Sequence, residues 1–327
     1  MSRIPRPLRH LRLVAVALAL PLLATIACAG PDPDQAAPPG GGATVNTSPD
    51  QNRVRAQKDD AIAATLPQAI RERGTLVVGT TGNGTPPLSF TADDDRTIIG
   101  VEPDIAQLVA DKLGLRLELQ PTSWENLFLA TESGQYDAGF SNVTVTEERK
   151  DKYDFATYRT DTIAFEARTD GPVEKIAEPK DVAGLTIGVG AGTNQEQLLV
   201  RWDEQNRAAG LAPTTIQYYQ NPGDFYLALD SGRLDAYLGP NPTSAYHVAT
   251  GGTTKIVGTL NGGGDVQADI AAMTKKGNGL VQPLAAALNA LREGGEYQQV
   301  LQRWNLSAEA VPTSQVNPQG LPRKAAS

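Results

Sequence analysis

The stretch Ser133–Lys150, SGQYDAGFSNVTVTEERK, holds the residues whose types and spacing could do chemistry. Ser133-Gly134-Gln135 predicts a short turn leading into a strand that carries Asp137. Beyond that strand come hydroxyl and amide side chains, Ser141, Asn142, Thr144 and Thr146. Thr146-Glu147-Glu148 has the form of a helix cap followed by first-turn acids, and Arg149 projects from that short helix. Backbone N–H groups at a helix start, small hydroxyls and one guanidinium together suit a carboxylate, because each donates a hydrogen bond and the guanidinium adds charge.

The elements that would position these residues come in two sets. SGQYDA at 133–138 returns as SGRLDA at 231–236, 98 positions later. Ahead of each lies a Gly-rich strand opening, GTLVVGTTGNGT from Gly74 and GLTIGVGAGTNQ from Gly184. The same order of strand, Gly-rich turn, helix, SGxxDA turn and strand predicts two similar α/β lobes. Clefts between such lobes are where small ligands usually bind. Asp137 and Asp235 read as structural residues of the two repeated turns.

In the first lobe, LPQAIRERG predicts a short helix ending at Gly74, and Thr75–Gly79 a strand. Glu102-Pro103-Asp104 opens a helix whose apolar positions Ile105, Leu108, Val109 and Leu113 have helical spacing, closed by Gly114. Leu115, Leu117 and Leu119 alternate with polar residues as a strand. Thr122-Ser123-Trp124-Glu125 has the Thr-x-x-Glu pattern of a capping box and starts the next helix. Strands alternating with helices predict mostly parallel sheets.

Arg3, Arg6, Arg9 and Arg12 precede the apolar run Leu13–Leu23, which is too short to span a bilayer and reads as a signal peptide over 1–27. Cys28 follows Thr25-Ile26-Ala27, which is similar to a bacterial lipobox, where a lipid such as palmitate would be attached to the cysteine; the usual Leu is replaced by Thr25. Ala27-Cys28-Ala29 also fits an A-x-A secretion site. The first reading places the protein on the extracytoplasmic face of the cell membrane, held by its lipid; the second secretes it. Either way the mature chain has no disulfide. From Ala29 to about Lys58 the sequence is Pro, Gly, Ala, Asp and Asn with few large apolar residues, a disordered tether within 28–60. Removing residues 1–27 takes away four arginines and no acid, so the formal charge falls from −8 to −12. That balance argues against nucleic acid as a partner.

The Ser133–Lys150 block resembles the family 3 solute-binding proteins, extracytoplasmic receptors of polar amino-acid ABC importers. The shared motif is roughly G-x-x-D, small polar residues, then T-x-x-R. The resemblance implies a two-lobed α/β fold of the type II periplasmic-binding-protein class with a two-stranded hinge. It covers about Ala69 to Leu306. The implied organisation is lobe 1 over 61–164, lobe 2 over 165–266, a return segment of lobe 1 over 267–306, and a tail over 307–327 that is irregular and loosely packed. Thr162–Arg168 would be the first crossing and Asp265–Met273 the second, while LREGGEYQQVLQRW matches the family's closing helix.

By the same resemblance Arg149 would form a two-pronged salt bridge to a ligand carboxylate, supported by Ser141, Asn142 and Thr144. Thr193 and Asn194 would reach the ligand from the second lobe, and Trp124 would cover its side chain. The implied ligand is an amino acid or related small carboxylate. The implied partners are ABC permease subunits, the membrane through the lipid anchor, and no second copy of the chain. No cofactor or metal is implied.

Two positions depart from the family pattern. The acid that pairs with an α-ammonium sits five residues after the Asp of the second-lobe phrase, which here is Pro240. An aromatic motif of the first lobe is replaced by Thr85-Pro86-Pro87-Leu88. Asp224 and Asp265 are candidate replacements for the missing acid. His247 is the only histidine beyond the leader, which leaves several familiar triads and metal sites without their residues. GTTGNGT lacks the Lys-Ser/Thr of a phosphate loop. A carboxylate-dependent dehydratase-like enzyme on the same fold and a ligand sensor are the alternative readings.

Overall fold

The computed structural model describes residues 45–82, 84 and 86–323; the leader, Cys28 and Thr85 lie outside them. Two short helices, α1 (Asp60–Ala63) and α2 (Gln68–Arg73), lead to strand β1 (Thr75–Thr81). A small hairpin, β2 (Phe90–Thr91) and β3 (Ile98–Ile99), precedes helix α3 (Val101–Leu113) and strand β4 (Arg116–Thr122). Helix α4 (Trp124–Ser133) and strand β5 (Ala138–Gly139) complete the first repeat. Gly114 and Gly134 end α3 and α4 with φ of 68° and 81°, a backbone conformation that glycine adopts without steric cost. The α4 cap is Ser123, whose hydroxyl accepts from the Asn126 N–H; the capping box expected to start at Thr122 is displaced by one residue, because Thr122 is spent as the last residue of β4.

Strand β6 (Tyr153–Arg168) is 16 residues long. Then follow β7 (Thr186–Val189), α5 (Asn194–Ala208), β8 (Thr215–Tyr218), α6 (Pro222–Asp230), β9 (Ala236–Pro240) and α7 (Asn241–Gly251). Strands β10 (Thr254–Asn261) and β11 (Ala268–Lys275) return the chain to helices α8 (Val281–Gly294) and α9 (Glu296–Arg303).

The strand order β4-β1-β5-β11-β6-β9-β7-β8 contains two parallel groups, β4-β1-β5 and β9-β7-β8. Strand β6 joins them. Its first part, Tyr153–Asp161, pairs antiparallel with β11, and Thr162–Arg168 pairs antiparallel with β9 and β10. The changeover falls at Asp161–Thr162, and the return crossing lies between Asn261 and Ala268. The first lobe buries Leu76, Ile105, Val109, Leu284, Leu288 and Trp304 in one core; the second buries Phe165, Ile187, Leu199, Trp202 and Leu238 in another.

The repeated aspartates do the same work in each lobe. Asp137 accepts from the Val77 N–H of β1 (2.8 Å) and its own N–H donates to the Val77 carbonyl (2.9 Å). Asp235 makes the same pair with Thr186 of β7, at 2.8 and 2.9 Å.

Two segments are better ordered than their composition suggests. Residues 45–58, read as tether, lie against lobe 1: Val45, Val54 and Ala56 pack on its core, Arg53 pairs with Asp104 (3.3 Å) and Arg55 with Asp111 (2.6 Å). The tail, read as loosely packed, buries Glu309, Val311 and Leu321. In both cases a few apolar and charged residues find partners on distant elements, which local composition does not record. Replacing Asp235 with Ala leaves the Thr186 N–H without its acceptor, and stability should fall by about 1–3 kcal/mol. Urea unfolding should show a lower midpoint at unchanged slope.

Candidate functional site

A cavity of about 260 Å³ lies against residues of both strand groups. Five helices begin at its wall: Glu102 of α3, Ser123-Trp124-Glu125 at α4, Thr193-Asn194-Gln195 at α5, Asn221-Pro222 at α6, and Pro240 with Thr243 at α7. Each helix start carries partial positive charge and N–H groups without helical partners, so their convergence favours a negatively charged occupant.

Of the residues singled out from the sequence, Ser141, Asn142, Trp124, Thr193 and Asn194 line this cavity. Ser141 Oγ lies 2.7 Å from Thr81 Oγ1 and accepts from the Thr81 N–H. Asn142 has φ of 53°, a conformation its short amide tolerates, and its Oδ1 accepts from Arg159 Nη2 at 2.6 Å. Thr193 is the α5 cap: its hydroxyl accepts from the Glu196 N–H (3.1 Å) and donates to the Gly190 carbonyl (2.7 Å).

Thr144 and Arg149 do not line the cavity; they stand beside it and join the lobes. Thr144 Oγ1 lies 2.8 Å from Asp161 Oδ2 and 3.0 Å from Asn194 Oδ1. Asn194 Nδ2 in turn donates to Asp161 Oδ2 (2.9 Å) and to the Gly262 carbonyl (2.7 Å). Burial raises the Asp161 pKa despite these donors and the nearby Arg159. Arg149 Nη1 donates to the Thr144 carbonyl (2.7 Å) and Nη2 to the Gly192 carbonyl of the other lobe (3.0 Å). Its guanidinium carbon sits 5.4 Å from the Trp124 ring centroid and 5.0 Å from that of Phe128. Burial lowers its pKa to about 10, which still leaves it charged at neutral pH. Its guanidinium donates to two carbonyls and lies against two rings; Asp161 and Glu148 act on it electrostatically, but among the described residues it forms no ion pair.

Pro240 lines the cavity where a carboxylate was wanted, as the residue before α7. Neither proposed replacement reaches it. Asp224, in the first turn of α6, and Asp265, on the return crossing, are exposed to solvent and stand outside the lining. The acids that do line it are Glu102 and Glu125. Glu102 is fully buried and is held by the Tyr158 hydroxyl and by Arg159, which also pairs with Glu309. His247 lies elsewhere in the second lobe, 2.5 Å from buried Glu166 and stacked on Tyr226.

Sequence reasoning missed Glu102, Arg159, Asp161 and the second-lobe aromatic wall of Tyr219, Phe225 and Tyr237. A signal was present for two of them: Arg159 and Asp161 are charges inside a strand that is otherwise buried along nearly its whole length.

The sequence model of the bacterial extracellular solute-binding proteins, family 3, matches residues 76–307. The chain belongs to that family. The L-cystine-binding protein TcyJ of Escherichia coli (strain K12) is 36% identical over 169 residues, 52% of this chain and 60% of that protein. The chain thus matches about three fifths of that relative's length. The arginine-binding protein ArgT of Corynebacterium glutamicum is 29% identical over 262 residues, 80% of this chain and 84% of that protein. An ancestral arginine-binding protein solved with arginine is 28% identical, with a TM-score of 0.63 over 71% of this chain and 98% of that one. The two-lobed periplasmic-binding-protein fold expected from the resemblance is the fold of these family members. No helix among the described residues is long and apolar enough to cross a membrane.

The raised pKa of Asp161 sets a pH dependence. The folded chain holds this proton at pH values where the unfolded chain, near pKa 3.9, has lost it. The contribution of Asp161 to stability is therefore greatest in acid and declines as pH rises through its folded value. Asp161→Asn removes the titration, so wild type should lose stability relative to this variant as pH rises above about 4, as read by urea unfolding at fixed salt.

Proposed function

We propose that this chain is the substrate-binding component of an ABC importer, a monomer that takes an amino acid or closely related small carboxylate between its lobes and delivers it to a membrane permease. The observation that carries the reading is Arg149, a guanidinium that forms no ion pair among the described residues, beside a cavity walled by five helix starts. A ligand carboxylate would complete that arrangement through paired N–H···O bonds. L-cystine and arginine, after which these relatives are named, both carry such a group.

The bonds from Arg149 to Gly192 and from Thr144 to Asn194 favour the lobes together. A ligand touching both walls would add differential affinity for the closed form, which is what a hinge-bending receptor requires. An α-ammonium would meet Glu102, Glu125 or neutral oxygens such as those of Ser89 and Thr81, since Pro240 offers no charge. Anchoring through lipid on Cys28 belongs to the same proposal. A receptor is favoured over an enzyme because the buried acid of the cavity, Glu102, is already engaged by Tyr158 and Arg159.

A thermal-shift screen of the chain against L-cystine, L-arginine, other amino acids, opines, betaines and simple carboxylic acids tests this. A ligand present at 100 times its dissociation constant should stabilise the fold by about 2.7 kcal/mol. Mass spectrometry should recover that ligand unchanged; a ligand consumed would favour the enzyme, and no stabilising carboxylate would reject the receptor. Arg149→Ala should weaken the binding of any hit by about 2–5 kcal/mol while the empty chain still folds and unfolds cooperatively, as titration calorimetry and urea unfolding would show.

A further inference from the structure

The tail beyond residue 307 lies outside the stretch that matches the family, yet it runs along the segment that carries Arg149. That segment contains only a three-residue turn of 3₁₀ helix, Arg149–Asp151, far too short to hold its own shape. On one side it is fixed by β11: the Ala271 N–H donates to the Val143 carbonyl and the Val145 N–H to the Asp269 carbonyl, both at 2.9 Å. On the other side the partner is the tail. The Leu321 N–H donates to the Val145 carbonyl (3.0 Å), and the Glu147 N–H donates to the Leu321 carbonyl (2.9 Å).

Further contacts tie the same few residues. Glu147 Oε1 accepts from the Gly320 N–H (2.8 Å) and from Lys150 Nζ (2.9 Å), and Lys150 Nζ also reaches the Pro318 carbonyl (2.9 Å). Arg323 grips Asp151 with two bonds of 2.6 Å. Thr146 Oγ1 accepts from the Arg149 N–H (3.1 Å), and a Cβ on Gly320 would lie only 2.8 Å from Thr146 Cα, so the tail passes the Thr146 backbone closely because residue 320 is glycine. Leu321 is buried and abuts Gly263 of the return crossing.

We infer that Ser314–Arg323 is a strap that positions Arg149, with Gly320, Leu321 and Glu147 acting on ligand affinity through that guanidinium; the effect on affinity rests on the carboxylate site proposed above, whereas the positioning does not. A strap that merely stabilised the fold would change global unfolding alone. A positioning strap changes the order of residues 145–152 and the lifetime of the bound ligand.

The test uses the full chain with Leu321→Ala and, as a variant that removes no buried side chain, Gly320→Ala. Amide hydrogen exchange of the empty proteins reads the turn directly. Both variants should exchange about tenfold faster or more over 145–152, with β7 and β9 unchanged, and Leu321→Ile should restore the slow rates. Whichever of L-cystine and L-arginine binds the unmodified chain should dissociate about tenfold faster from the variants, a change equal to about 1.4 kcal/mol. Unchanged exchange over 145–152, or an equal increase in both lobes, would overturn the strap. A loosened turn with unchanged dissociation would overturn its action on the ligand. If neither probe binds the unmodified chain, the exchange result still decides the strap, and the failure belongs to the ligand reading.

Discussion

Two charges buried in the middle of a shared strand govern how this protein is assembled. Arg159 and Asp161 sit on β6 next to the point where it leaves one sheet group for the other, and each is about 1% exposed. An unpaired charge in such a place would cost several kcal/mol. Arg159 is therefore met by Glu102 from α3, Glu309 from the tail and Asn142 from the cavity wall. Asp161 is met by Thr144 of the first lobe and Asn194 of the second. Satisfying two side chains thus gathers α3, α5, the tail and the Ser141–Arg149 segment around one crossing. The cavity forms where they meet.

The two lobes contribute to that cavity by the same local rule. In each, a parallel βα unit ends its strand at the cleft and starts its helix there, so that N–H groups rather than carbonyls face the ligand space. The repeated SGxxDA turns fix the geometry from behind, where Asp137 and Asp235 pin the neighbouring strands through identical backbone pairs. The repeat shapes the wall without contributing an atom to it. The two walls differ chemically: Trp124, with Arg149 behind it, on one side, the aromatic group of Tyr219, Phe225 and Tyr237 with Pro240 on the other.

Both ends of the described chain lie against the first lobe. Residues 45–58 lie along α3 and α9 through Arg53, Arg55 and Gln51, and Arg303 returns the contact from α9. The tail covers the edge of β6 with backbone bonds at Phe155 and Thr157. Covering that edge removes a row of open donors and acceptors that could pair with another chain.

The sequence by itself determined the α/β class, the two repeated units, the end of α2, the bounds of α3 and five of the residues that line the cavity, because these depend on spacing over a few turns of chain. Glycine at helix ends and the period of Ile105, Leu108 and Val109 are local facts, and the structure carries them through. The tertiary structure alone decided where Arg149 points, that Thr144 serves the crossing rather than the cavity, and that Asp224 and Asp265 fall outside it. It also decided that Glu102 faces the ligand space and that the tail packs. These outcomes rest on pairs distant in the chain, such as Asn194 with Asp161, 33 residues apart, and Gly320 with Glu147, 173 apart. A single sequence carries no local trace of such pairs, since a charge at the surface and a charge neutralised across the fold are written with the same letter.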